Sequence, residues 1–539
     1  MASTITVDEL RAMRESQTPH ALIDVREKGE FVQRHIFRAV PIPRGLLEIR
    51  MRQRVPVRDV PIILYDVDGH RAGLAAETLE AMGYQDVRLL DGGLEAWAAA
   101  GGRTDYGTNV PGKDYGEKVA VQRKTPHLTP QEIVERQKRG ERILILDSRT
   151  REEYERAHVP GAFNVPGAEL PIRIRTLIDA PENKDATIVV NCAGRTRSIL
   201  GADVLIRMGM KNPVYALENG TMAWTMAGFE LESGPGADVD VADAPSAHAV
   251  ARDFANRVAE EDGVGSMSID EFEALQASGA LHYALDVRLP QEYDAGHIPG
   301  SISLPGGQIA LAADEIVAVN QAPVVLISNS DVRAKISGSY AKQIGYPNVM
   351  VLEGGIEGWQ ASGRELVTDE PAPEVFGLAE ARERTRSIAP EELQAVVEAG
   401  GSLIVDVKGS GDYALDHIAG SRWVPRGDLE RRIGKYAENK GQPIVVTDND
   451  GTRAALAAAT LQDLGYTDVR WLDGGLDAWR AAGYETVQGL DGADVPLKEA
   501  KDDVEMIGRI GPLARTRQDM LDYLEWEIEL GHKYETETQ

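Results

Sequence analysis

One cysteine stands among 539 residues, in the turn Cys192-Ala-Gly-Arg-Thr-Arg-Ser198. The apolar run Thr187-Ile-Val-Val190 leads into it, and a helix ending at Gly209 leads away. A turn between a buried strand and a helix start aims its backbone N–H groups at one spot, a small anion pocket. Arg195 and Arg197 add two fixed positive charges. Both effects favour thiolate over thiol, so the Cys192 pKa is expected below the ordinary ~8.5. A thiolate ringed by N–H donors can attack an anionic sulfur donor and hold the negative charge of the product. A lone cysteine is more often a small buried hydrophobe, but a Gly- and Arg-rich turn beside Asn191 argues against that role here.

The turn occurs four times. Its counterparts are Asp66-Val-Asp-Gly-His-Arg71, Ser328-Asn-Ser-Asp-Val-Arg333 and Asp448-Asn-Asp-Gly-Thr-Arg453. Every copy ends in Arg, and only the second begins with Cys. Arg197 therefore reads as a brace common to all copies. Arg195, replaced by Gly69, Asp331 and Gly451 elsewhere, reads as the contact for a donor anion. A carboxylate at 66 or 448 can accept the turn's own N–H groups and fill the pocket with a built-in anion. Ser328 is neutral and leaves room for a small anion, although Asp331 opposes it.

Two further markers recur with the turn. The phrase Gly-Gly-x-x-x-Trp ends at Trp97, Trp359 and Trp479, with a degenerate Asn219-Gly220 copy ending at Trp224. Upstream lie Asp24-Val-Arg26 with His35, Asp147-Ser-Arg149 with His158, Asp286-Val-Arg288 with His297, and Asp406-Val-Lys408 with His417. A helix opens each repeat, with capping-box chemistry in the first three (Thr6-x-x-Glu9, Thr129-x-x-Glu132, Ser268-x-x-Glu271). Short apolar runs then alternate with helical stretches, the grammar of a parallel sheet covered by helices. The expected fold is α/β, with four tandem domains at 1–106, 125–232, 262–367 and 384–489, strung as beads, and an acidic helical tail at 490–539. Gly107–Lys124, Ser233–Val250 and Thr368–Pro373 read as linkers. Met520, Leu521, Tyr523, Leu524, Trp526, Ile528 and Leu530 make a tail helix expected to pack back on the body, a homodimer contact being the alternative.

Composition narrows the function. Lys+Arg 58 against Asp+Glu 86 leaves a net charge of −28, which repels nucleic acid. No run approaches the ~20 apolar residues of a membrane span, and Met1–Leu10 lacks the features of a signal peptide. One cysteine excludes an intrachain disulfide and a cysteine-rich metal site. The reading is a soluble cytoplasmic protein with no cofactor and no metal.

Asp-x-Arg, His-Val-Pro-Gly, a strand into Cys-x-x-x-x-Arg-Ser, then Asn/Gly-Gly before Trp resembles the rhodanese-like sulfurtransferases, over four copies covering most of 1–489. The resemblance implies four rhodanese-like domains. It implies that Cys192 carries a sulfane sulfur as a persulfide, cradled by Ala193, Gly194, Arg195, Thr196, Arg197 and Ser198. It also implies a small anionic donor such as thiosulfate and a thiophilic acceptor, cyanide or a thiol. Asp147, Arg149 and His158 are then architectural, with Glu153 joining an acid–Arg lattice, because their counterparts recur in copies without a nucleophile. Arg173 and Arg175 fit either an anion contact or a solvated face. A non-catalytic carrier or scaffold is the alternative. A phosphatase of this fold is disfavoured, because there Cys-x5-Arg is needed and Ser198 occupies that spacing. Asp448-Asn-Asp-Gly-Thr452 resembles the nucleophile motif of haloacid-dehalogenase-type phosphotransferases, but the repeat accounts for it without chemistry.

Overall fold

The four apolar runs that end in Asp become the central strands of four parallel sheets, in a computed structural model that describes residues 3–239, 245–329, 331–369 and 373–537. In the second repeat the order is Ala237–Asp238, Phe163–Asn164, Ile143–Asp147, Thr187–Asn191, Val214–Leu217, His127–Leu128, all parallel. The other three repeats have five strands each in the equivalent order. Burial on both faces explains why the central strands are continuous Ile/Val/Leu runs and not alternating ones. The register sets Asn191 beside Asp147, so Cys192 leaves the sheet at the carboxyl end of its central strands. That is where parallel α/β sheets place ligand sites.

The expected capping boxes at Thr6, Thr129 and Ser268 are present, with both hydrogen bonds formed. The repeated Trp and His markers also have a shared physical cause. Each Trp indole N–H donates to a carbonyl six residues on: Arg103, Glu230, Glu365 or Glu485. Each His ring stacks on the aromatic four residues earlier (Phe31, Tyr154, Tyr293, Tyr413), with centroids 3.8–3.9 Å apart.

The repeats are not independent beads. Contacts group the chain into two units, Met1–Thr108 with Ala372–Arg515, and Asn109–Pro371 with Thr516–Gln539. In the first unit, the short turns Arg44–Leu46 and Arg426–Asp428 meet, and two ion pairs, the half-buried Arg44–Glu430 and the buried Arg426–Glu48, cross reciprocally. In the second unit, Gly306 and Gly307 lie against Gly167 and Ala168, and Arg333 reaches Glu169 at 2.8 Å. The linker reading of Gly107–Lys124 is corrected too: Val110–Gln122 is a largely buried helix. Its glycines suggested a flexible connector, yet they serve close packing. A side chain at Gly112 would strike the backbone of Ala310, and one at Gly116 would crowd Thr196.

Ser233–Val250 holds the edge strand Ala237–Asp238 and the start of the helix Pro245–Glu261, with 240–244 outside the described residues. Residues 370–372 of Thr368–Pro373 also lie outside them. The acidic tail divides. Leu497–Asp503 packs on Lys28–Gln33 and Ser410–Leu415 in the first unit. The C-terminal helix Arg517–Glu537 packs on Val110–Gln122 in the second. Met520 and Leu524 are buried there, whereas Leu521 and Ile528 stay exposed. Among the described residues no helix is long and apolar enough to cross a membrane.

Candidate active site

The turn after Thr187–Asn191 is held from below by the next strand–helix junction. Thr221 N–H donates to the Cys192 carbonyl at 2.9 Å, and Met222 N–H to the Ala193 carbonyl at 3.2 Å. Gly220 has φ +57°, and any Cβ there would overlap the Cys192 carbonyl. Gly93, Gly355 and Gly475 meet the other three turns in the same way. The recurring glycine before Trp is thus a close-approach residue for the turn.

Cys192 is 2% exposed. Its thiol lies 3.6 Å from Ser198 Oγ, and the Ser198 hydroxyl donates to the Arg195 carbonyl at 2.7 Å. The expectation of a lowered thiol pKa is corrected: burial pushes it up, and Glu527 pushes the same way, against the pull of Arg197 and Ser198. The two arginines explain the difference, because neither is a free charge. Arg195 grips Glu117 through Nε and Nη2 at 2.7 and 2.8 Å and Asn219 through Nη1 at 3.0 Å. Arg195, expected to contact a donor anion, is thus already held by a carboxylate and an amide. Arg197 grips Glu153 at 2.6 and 2.7 Å. Although burial alone would raise the Glu153 pKa, Arg197 holds it down to about 2.

The other predicted residues sort cleanly. Asp147 and Arg149 form a buried bidentate pair at 2.9 and 2.7 Å, and Asn191 Nδ2 donates to Asp147 at 3.0 Å. The fourth repeat has Lys408 in place of Arg, whose single ammonium sits 3.5 Å from Asp406. Burial then pushes the Asp406 carboxyl up to about 6. His158 stacks on Tyr154, its Nδ1 lies 2.8 Å from the Tyr154 carbonyl, and its backbone pairs with Glu232. Arg173 pairs with Glu169 and Arg175 with Asp179.

In the first and fourth repeats the carboxylate turns curl onto themselves. Asp66 accepts from Gly69 and Ala72 N–H, and Asp448 from Gly451 and Arg453 N–H at 2.7 and 2.8 Å. Gly69 and Gly451 reach φ +80° and +85° to do this, whereas Arg195 at the same place has φ −120°. Both Asp448 oxygens are taken by its own turn, which leaves the dehalogenase-like motif a folding device. Among the described residues no group of three or more His, Cys, Asp or Glu is arranged to hold a metal ion. Ser328 is buried, and Arg333 of that turn pairs with Glu292 and Glu169.

The sequence reading missed four residues around Cys192. Lys113 and Glu117 come from the helix taken for a linker, and Tyr523 and Glu527 from the tail. The C-terminal helix lies over the turn. Tyr523 OH donates to Glu527 Oε1 at 2.9 Å, Thr196 Oγ1 stands 3.5 Å from the same oxygen, and Lys113 Nζ sits over the rings of Tyr523 and Trp526. A signal existed for Asn219. It replaces the usual Gly in the one copy that has Arg195, and the two side chains bond. Asn also tolerates the φ of +55° found there. Beside the turn opens a cleft of about 520 Å³ lined by Glu117, Lys124, His127, Arg195, Ser198 and Ile528. Ser198, whose hydroxyl lies 3.6 Å from the thiol, is among its lining residues.

A profile described as Rhodanese-like domain matches residues 6–100, 129–227, 268–362 and 389–482. Over 99% of its length the chain is similar to the crystal structure of a thiosulfate sulfurtransferase from Pseudomonas aeruginosa, with 35% identity, 98% of that chain covered and a TM-score of 0.85. It is similar to the putative thiosulfate sulfurtransferase SseB of Mycobacterium tuberculosis, 31% identical over 31% of this chain and 71% of that protein. A thiosulfate sulfurtransferase GlpE of Pseudomonas fluorescens is 37% identical, over 19% of this chain and 94% of that protein.

Proposed function

Because this chain belongs to the rhodanese-like domain family, with four such domains in tandem, we propose that it is a sulfurtransferase working through Cys192. The thiolate attacks the sulfane sulfur of thiosulfate or a similar small anionic donor. The S–S bond to the sulfite group breaks, and sulfite leaves with the electron pair while Cys192 becomes a persulfide. A thiophilic acceptor, cyanide or a thiol, then takes the outer sulfur and returns the thiolate. The observation that carries this reading is the contrast among the four turns. Only the second has a sulfur nucleophile, whereas in the first and fourth a carboxylate, Asp66 or Asp448, stands at that position and takes the turn's own N–H groups. The names of the similar proteins support thiosulfate as the donor class.

In this account Ser198 orients the thiol, and Arg197 braces the turn through Glu153. The first and fourth repeats act as scaffold, their anion pockets filled by Asp66 and Asp448. The test is intact-mass measurement after incubation with thiosulfate, paired with a cyanide-to-thiocyanate assay. One added sulfur atom, discharged by cyanide and absent in Cys192→Ser, is the expected result. An unchanged mass in the wild-type chain with thiosulfate and 3-mercaptopyruvate alike refutes it.

A further inference from the structure

Glu527 is an unusual neighbour for a thiol that must meet an anion. Its side chain is buried, at 2% exposure. Oε1 takes the Tyr523 hydroxyl and faces that of Thr196, but Oε2 is buried with no hydrogen-bond partner. That oxygen points into the Cys192 turn, 3.0 Å from where a Cβ on Gly194 would stand. A buried carboxyl oxygen without a partner costs about 1–3 kcal/mol, more when ionised, so its retention points to a ligand that completes it.

The surroundings set its charge. From the helix Val110–Gln122 it faces Lys113, which favours the carboxylate, and Glu117, which opposes it; from the turn it faces Arg195 and Cys192. Tyr523 bonds to it from its own helix. Burial outweighs the favourable partners and pushes the Glu527 carboxyl above its usual range. With Oε1 accepting, a proton on this group belongs on Oε2, facing the turn.

We infer that Glu527, delivered by the C-terminal helix, is the charge-selecting residue of the Cys192 pocket: as a neutral acid it offers Oε2–H to an incoming anion, and as a carboxylate it turns anions away. This rests on Cys192 being the reacting group, and it deepens the proposed function by setting which donors reach that thiol and at what pH. A dianion such as thiosulfate is admitted best when Glu527 holds its proton.

The single cysteine permits a test that needs no turnover. Alkylation of Cys192 is timed with neutral iodoacetamide and with anionic iodoacetate, and the ratio of the two rates is taken. Helix opening and thiolate fraction affect both reagents alike and cancel in the ratio. At the alkaline end of a series from pH 5.5 to 10 the Glu527→Gln variant should lower the iodoacetamide preference by about fivefold or more, the size of a one-charge effect at close range in a partly screened site. Exposed Glu529 on the same helix supplies the control: Glu529→Gln should leave the ratio within about twofold. In the wild-type chain the preference should shrink towards the variant's value as pH falls to 5.5, and this series decides the matter if the variant does not fold. A ratio unchanged in Glu527→Gln, or a wild-type ratio that is flat with pH, overturns the inference. Failure to form a persulfide with any donor would sink the sulfurtransferase reading while leaving the alkylation ratio to judge Glu527 by itself.

Discussion

Replacing Arg197 by Met should cost the second repeat about 3 kcal/mol at neutral pH, and the cost should fade in acid. Met keeps much of the length and apolar volume of Arg, so the loss is chiefly that of the ion pair. Glu153 is 14% exposed at its side chain and meets Arg197 through both oxygens. Holding its carboxyl at about 2 in place of the ordinary 4.5 is worth about 3 kcal/mol once the pH is well above both values. The folded pKa is depressed, so this stability is present above about 4.5 and is lost as pH falls towards 2.

A local readout suits a multidomain chain, for which one unfolding free energy is not well defined. Hydrogen exchange in the helices Arg151–Arg156 and Thr196–Arg207, which carry the two partners, should speed up about a hundredfold in Arg197→Met at pH 7. By pH 3 the difference should shrink to about tenfold, because wild-type Glu153 retains only about 1 kcal/mol of advantage there. Equal exchange in variant and wild type at pH 7, or a gap that does not narrow in acid, would refute the assignment of this pair as the brace of the turn.

Arg195 should prove inseparable from folding, because its guanidinium holds both Glu117 and Asn219. Arg195→Ala strands the buried Glu117 carboxylate and should cost about 3–5 kcal/mol, of which adding Glu117→Gln should recover at least half in a double-mutant cycle read from hydrogen exchange in the helices Val110–Gln122 and Thr196–Arg207. In the first unit, burial together with Asp503 and Glu30 pushes Glu27 up to about 8. A raised carboxyl pKa makes stability fall as pH rises from about 4.5 to about 8, so Glu27→Gln should flatten that decline and gain about 1–3 kcal/mol at pH 8.5, read from hydrogen exchange in the helix Lys28–Gln33 at pH 5 and 8.5.

Local pattern was enough for the repeat, the strands and the turn. Continuous apolar runs such as Ile143–Leu146 are too short for a helix and read as strands buried on two faces, and the capping boxes at Thr6, Thr129 and Ser268 mark helix starts by chemistry within four residues. The carboxylate-filled turns were legible for the same reason: Asp66 and Asp448 bond to N–H groups three to six residues away.

Everything that reaches Cys192 from a distance was decided by tertiary structure. Gly112 and Gly116 look like linker glycines until Ala310 and Thr196 are seen against them. Glu117 and Glu527 read as solvated charges in an acidic chain until packing buries one on Arg195 and aims the other at Gly194. The Cys192 pKa went the same way. Residue types around the turn predicted a lowered value, which counts charges but not their partners. Folding gave both arginines a carboxylate and removed water from the thiol, and desolvation then outweighed what remained of their field. Charge and hydrogen-bonding capacity belong to the residue, whereas the dielectric around it and the partner that neutralises it belong to the packed chain.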